Sequence, residues 1–457
     1  MTNLKNIFLE DSKIAFDKKH RKTINFNISR YDDAVAKGKL RYTNLGLAKQ
    51  RASYIKDKVV NNLANYLEEF EKNALKNNIQ LIWARNSKEA VSEIINILKE
   101  NDAHLLVKSK SMISEEIELN VNLEKNGFEP VETDLGEFIV QVAGEKPYHI
   151  LTPAMHKSKE DVAKLFNEKF DTPPNSTPQE LTLFVREKLR EKFTSAEVGV
   201  TGANFLIADI GGIILTENEG NGFMSLAFPK VHIVIAGIEK ILPSVSDLPL
   251  FLPLLAAHGT GQQVTVYNSL ITGPKKANET NGPEKMFVVL LDNNRTKIAT
   301  EKEHFKALKC IRCGACLNAC PIYKNVGGYT YSSTYTGPIG SVITPFFEGF
   351  DKYNHLSYAC TVCGACSEVC PVKIPLHDLL LLNRKKSVEQ NLGTFGWNAG
   401  MKTYEWAFKN RKNLDLVNGT IKNQLAKTNK NVLGNEKEFP AFAKNSFSKT
   451  WKLNLKS

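Results

Sequence analysis

Cysteine is missing from the first 309 residues and from the last 87; all eight lie between Cys310 and Cys370. That excludes a disulfide scaffold spread over the chain, and in a reducing compartment it points to a metal instead. Long apolar runs are missing as well. "LPLFLPLLAA" (Leu248–Ala257) carries Pro253 and falls short of the roughly 18 residues that span a bilayer. The opening "MTNLKNIFLEDSKIAF" places Glu10 and Asp11 where a secretion signal would be apolar, so the expectation is a cytoplasmic protein. A Walker motif, a Rossmann fingerprint and a serine nucleophile elbow are all absent, which removes support for nucleotide hydrolysis and flavin binding.

The 457 residues suffice for two or three domains, and 42% hydrophobic with 24% charged residues is ordinary for a globular protein. The net charge of +11 sits at the ends: basic residues exceed acidic ones by seven over residues 1–80 and by eight over 400–457, and the middle is acidic. These ends are either solvated tails or surfaces for an acidic partner or a peripheral contact with an anionic membrane. No nucleic-acid-binding motif accompanies them, so no nucleic-acid partner is expected.

Residues 1–78 read as an N-terminal helical arm. Ile55, Val59, Leu63, Tyr66 and Phe70 recur at helical steps, after a basic, irregular stretch around "KKHRKTINF". Residues 79–300 alternate apolar runs with helical patterns: "LIWA", "HLLVKS", "FEPVETD", "HILTP", "NFLIADIGGIILTE", "VHIVIAG", "VTVYNS" and "MFVVLLD". That alternation predicts an α/β domain with a mostly parallel sheet, whose ligands would bind beyond the carboxyl ends of the strands. Residues 301–395 hold the cysteines, and 396–457 form a helical, basic C-terminal extension.

"CIRCGACLNACP" and "CTVCGACSEVCP" each read C-x2-C-x2-C-x3-C-P. Three cysteines at this spacing wrap one cubane, and the fourth reaches the other cluster in two-cluster ferredoxins. The expected cofactors are therefore two [4Fe–4S] clusters. Cys310, Cys313, Cys316 and Cys370 would hold one, and Cys360, Cys363, Cys366 and Cys320 the other. Zinc is the competing reading, but a third cysteine crowds each loop. The 39 residues between the motifs are rich in Tyr, Phe and Gly, and either cover the clusters or dock a redox partner.

In the α/β region, Lys108, Ser109 and Lys110 follow a strand and could meet an anion or simply be solvated. Glu132, Asp134 and Glu137 cluster after another strand; they could bind a cation or move a proton, or form a turn with Asp134 as helix cap. Gly202, Gly211, Gly212, Glu217, Asn218 and Gly220 surround a long apolar run; they could cradle a carboxylate or phosphate, or make a hairpin. His258 lies in a glycine-flanked stretch and could face a ligand, while His149, His156 and His232 carry no motif.

The two cysteine stretches, with "SKSMISEEIELNVNLEKNGFEPVETDLGEFIVQ" and "GVTGANFLIADIGGIILTENEGNG" upstream, closely resemble the iron–sulfur protein family of the bacterial lactate-utilisation system, lactate utilisation protein B, over about residues 40–410. The resemblance implies an α/β lactate-utilisation domain, like sugar-phosphate isomerases and CoA transferases, followed by an α-helical dicluster ferredoxin domain. It implies an electron-transfer subunit in a cytoplasmic complex oxidising L-lactate to pyruvate. The partners would be a second lactate-utilisation-domain protein and a cysteine-rich protein of heterodisulfide-reductase type. "ENEG" resembles the Glu-Asn-Gly of CoA transferases, but Glu219 interrupts it, which weighs against an acyl-carrying Glu217. Rival readings are a dicluster subunit of another hydroxy-acid or quinone-linked dehydrogenase, and a non-catalytic assembly or sensing protein.

Overall fold

Seven-residue runs with no polar face, such as "VHIVIAG", must be covered on both sides, and a parallel sheet between helices does this. The computed structural model describes residues 4–393, 395–428 and 440–454. Met1–Lys386 form one compact unit and Ser387–Ser457 a second.

The main sheet of the first unit contains β1 (Ile79–Ala84), β2 (Leu105–Lys108), β3 (Glu129–Glu132), β4 (Val198–Gly202), β7 (Val231–Gly237) and β10 (Lys285–Leu291). All are parallel, in the order β1-β10-β7-β4-β2-β3. Alternation along each strand feeds two cores. Val231, Ile233, Ile235, Phe287, Val289 and Leu291 pack with the helix Ser87–Glu100 on one face; Val234, Ala236, Met286, Val288 and Leu290 pack with Leu67, Phe70 and Ala74 on the other.

"NFLIADIGGIILTE" is a hairpin outside the main sheet. β5 (Phe205–Ile207) and β6 (Gly212–Glu217) pair antiparallel, flanked by β8 (Ile241–Leu242) and β9 (Tyr267–Ile271). Gly211, at φ +58°, makes the turn, and a side chain there would strike the backbone of Asn73 and Ala74. "HILTP" forms no strand: the His149 ring accepts from the amides of Leu151 and Thr152 at 3.1 and 3.3 Å, diverting them from any ladder.

The basic stretch read as irregular is the helix Lys18–Lys39, with Ile24 and Ile28 buried. The periodic segment after it divides at Asn62 into Leu45–Asn61 and Leu63–Lys76. These helices are fixed to the body: Lys56 reaches the carbonyls of Glu239 and Ile241 at 2.6 and 3.2 Å.

Among the described residues 301–386 every regular element is a helix. Their apolar side chains share one core with Ala52 and Val60, with Phe205 and Ile207 of the small sheet, and with Phe251 and Leu254. The second unit contains the helices Phe395–Phe408, Arg411–Asp415, Gly419–Thr428 and Phe447–Asn454. Part of the Lys/Asn-rich tail, 429–439, lies outside the described residues. Among the described residues no helix is long and apolar enough to cross a membrane.

Candidate iron–sulfur centre and adjoining cavity

The two cysteine loops have the same backbone, fifty residues apart. Arg312 and Val362 sit at φ +60° and +57°, Gly314 and Gly364 at +76° and +80°, and the short helices Ala315–Ala319 and Ala365–Val369 follow. The reversals turn amides inward. Arg312 donates to Cys310 Sγ at 3.4 Å, Val362 to Cys360 Sγ at 3.3 Å and Ile374 to Cys370 Sγ at 3.4 Å. Donors aimed at sulfur stabilise it when it carries charge.

The sulfurs influence one another in two groups. Cys316 is pushed up by burial and by Cys310, Cys313 and Cys370. Cys366 is pushed up to about 12 by burial, then by Cys320, Cys360 and Cys363. Cys370 also feels Cys310, and Cys320 feels Cys360 and Cys363. The last cysteine of each motif thus keeps company with the first three of the other. Among the described residues no three of His, Cys, Asp or Glu converge as a single ion requires. Two groups of four thiols, each completed by the last cysteine of the other motif, are the ligand set that two four-iron clusters of the ferredoxin kind require.

Cations surround the first group. Lys49 acts on Cys370, Lys39 on Cys313, and Lys56, Lys240 and Arg312 on Cys310. Burial holds Lys56 down to about 7, and burial with Arg312 holds Lys240 down to about 8.

Beside Cys313 opens a cavity of about 450 Å³, walled by the carboxyl ends of the main sheet. Ser109 and Lys110 follow β2, Asp134 follows β3, Gly202 ends β4, Glu239 and Lys240 follow β7, and Arg295 follows β10. A buried ion network closes its floor. Arg295 makes two bonds to Glu116, at 2.8 and 2.7 Å, and one to Glu239 at 2.6 Å. Tyr335 donates to Glu116 at 2.5 Å, and Arg312 reaches Glu239 at 3.3 Å while lying 4.3 Å over the Tyr335 ring. Burial would raise Glu239, but Arg295 and Arg312 outweigh it and hold it at about 2.

The residues singled out from sequence divide around this cavity. Ser109, Lys110, Asp134, Gly202, Glu217, Asn218 and Glu219 line it; Lys108, Glu132, Glu137, Gly220 and His258 do not. Lys108 has its partners inside the protein: it is 1% exposed, bonded to Glu132 at 2.6 Å and to Ser114 at 2.9 Å. Burial works against its charge, but Glu132 and Glu115 outweigh it. The carboxylate trio is split: Glu132 pairs with Lys108, while Asp134 caps the helix Leu135–Ala143 by accepting from the Glu137 amide at 3.0 Å. Glu137 is buried and pushed up to about 8, by burial first and Glu132 second. Glu217 accepts from the amides of Gly222 and Phe223, both at 2.7 Å, which occupies its two oxygens. His258 stands in the last turn of the helix Leu248–Gly259, bonded to the Leu254 carbonyl and held down to about 4 by burial. His149 and His232 are buried and held down to about 3, and His156 bonds Glu145.

Lys240, Arg295 and Arg312 escaped sequence reading. Arg312 sits at a position of "CIRC" that the C-x2-C spacing leaves open, and the other two follow strands without a motif to mark them.

Residues 67–291 match the LUD domain and residues 306–374 the 4Fe-4S dicluster domain. Lactate utilization protein B of Bacillus subtilis (strain 168) is 42% identical over 337 residues, covering 74% of this chain and 70% of that protein. The protein of the same name from Bacillus velezensis is 41% identical over 343 residues, covering 75% and 72%. The uncharacterized electron transport protein YkgF of Escherichia coli (strain K12) is 39% identical over 359 residues, covering 79% and 75%. Among solved structures, a DUF162 family protein from Deinococcus radiodurans aligns over 50% of this chain and 98% of its own, at 16% identity and a TM-score of 0.29.

Proposed function

The chain belongs to the lactate utilization protein B family, and we propose that it is the electron-transfer subunit of a cytoplasmic complex that oxidises L-lactate to pyruvate. Two [4Fe–4S] clusters, held by Cys310, Cys313, Cys316 and Cys370 and by Cys360, Cys363, Cys366 and Cys320, would each carry one electron. The observation that carries this reading is the placement of the two sulfur groups. Cys313 is buried in the cavity wall, whereas Cys363 is exposed. Charge entering beside the cavity can leave at the surface toward a partner. The partners proposed are a second LUD-domain protein and a cysteine-rich protein of heterodisulfide-reductase type.

Two measurements test this. Anaerobically purified protein should hold about eight irons per chain, as two four-iron clusters require. In the native host, Cys363→Ser should abolish growth on lactate and leave growth on glucose unchanged. Normal lactate growth of that variant would remove the electron-transfer role.

A further inference from the structure

Two residues that line the cavity beside Cys313 carry buried polar atoms that the fold leaves without partners. Ser109 is 4% exposed, lines the cavity, and its Oγ makes no hydrogen bond. Arg312 Nη1 is likewise buried and unbonded. Buried donors seldom stay unmade, because the lost hydration is not returned. The Arg312 guanidinium is already fixed, by Glu239 on one nitrogen and the Tyr335 ring beneath it, so its free nitrogen has a set direction.

The charge in the wall is mixed. Lys110 and Lys240 join Arg312 as cations, while Asp134 and Glu219 supply acceptors. An inorganic phosphate would set two negative charges against those carboxylates. A small hydroxycarboxylate suits both halves: its single charge meets the cations, and its hydroxyl can donate to a carboxylate. About 450 Å³ lies within the usual range for small-molecule sites.

We propose that this cavity binds a small 2-hydroxycarboxylate, with Arg312 anchoring the carboxylate and Ser109 completing its hydrogen bonds. The proposal rests on the reading of the chain as a lactate-utilisation subunit and deepens it: the organic acid binds on this chain, against the wall that holds Cys313.

The test is calorimetric titration of the full, cluster-loaded chain under anaerobic conditions with L-lactate, propionate and inorganic phosphate. L-lactate should bind at least fivefold more tightly than propionate, and phosphate should not compete. Arg312→Gln should weaken L-lactate at least tenfold at unchanged iron content. If Arg312→Gln loses iron, Ser109→Ala decides, with an expected loss of at least threefold. No measurable L-lactate binding, phosphate binding that excludes lactate, or full affinity in an iron-replete Arg312→Gln would each overturn the site. Clusters that reduce in a chain without lactate affinity would overturn the site and leave the relay standing. Lactate affinity in a chain whose clusters never reduce would keep the site and remove the relay.

Discussion

At the scale of single residues, the buried carboxyl of Glu137 has a measurable consequence. An ordinary glutamic acid titrates near 4.5, but this one is pushed up to about 8. It therefore keeps its proton in the fold at neutral pH. The stabilisation from that proton is complete below the unfolded value and is lost as pH rises through about 8. Glu137→Gln mimics the protonated form, so its stability should fall less between pH about 5 and about 9, by on the order of 4 kcal/mol. Urea unfolding of both proteins at the two pH values checks this; parallel losses would refute it. Single residues were also where the sequence was least legible. Lys108 and Lys110 look alike in "KSKSM", yet the first is the last residue of β2 and is buried against Glu132, while the second lies beyond the strand's end and lines the cavity. Which of two neighbouring lysines meets solvent depends on partners far along the chain.

Among elements, the matching backbone of the two cysteine loops was legible, because the spacing is local and identical in both copies. β7 and β10 were legible for a related reason: a run buried on both faces has few alternatives. His258 was not, since its glycine neighbours suggested a loop while the apolar helix before it continues as far as Gly259. The twin glycines give a prediction at this level. Gly314 and Gly364 share a left-handed backbone, so alanine at either should cost about 1 kcal/mol. A Cβ at Gly314 would also crowd Leu151 and Ile150, at 3.1 and 3.2 Å, while at Gly364 the nearest atom is 4.0 Å away. Gly314→Ala should therefore be the more damaging, judged by thermal unfolding and by iron retained per chain. Equal effects would mean that the surrounding packing contributes nothing.

In the molecule as a whole, the core of the cysteine region is continuous with that of the segments before it. Leu317, Tyr323, Ile339 and Val342 pack in one cluster with Ala52, Phe205 and Phe251. Sequence motifs mark separate families for the two regions, and nothing in either motif announces that their interiors merge. A fragment of residues 301–386 should accordingly stay unfolded and bind no iron, while residues 1–386 should fold and unfold in one transition. Circular dichroism and iron analysis of both fragments would decide. A folded 301–386 would show that the shared interior is dispensable.

The repeated loop ends differently in its two copies. Cys313 is buried in the cavity wall, and Cys363 is exposed. With a cubane seated in each group, oxygen would reach the outer one first. Brief exposure to air should then strip about half the iron, leaving a chain that still takes up an electron at its protected centre but has lost its outlet.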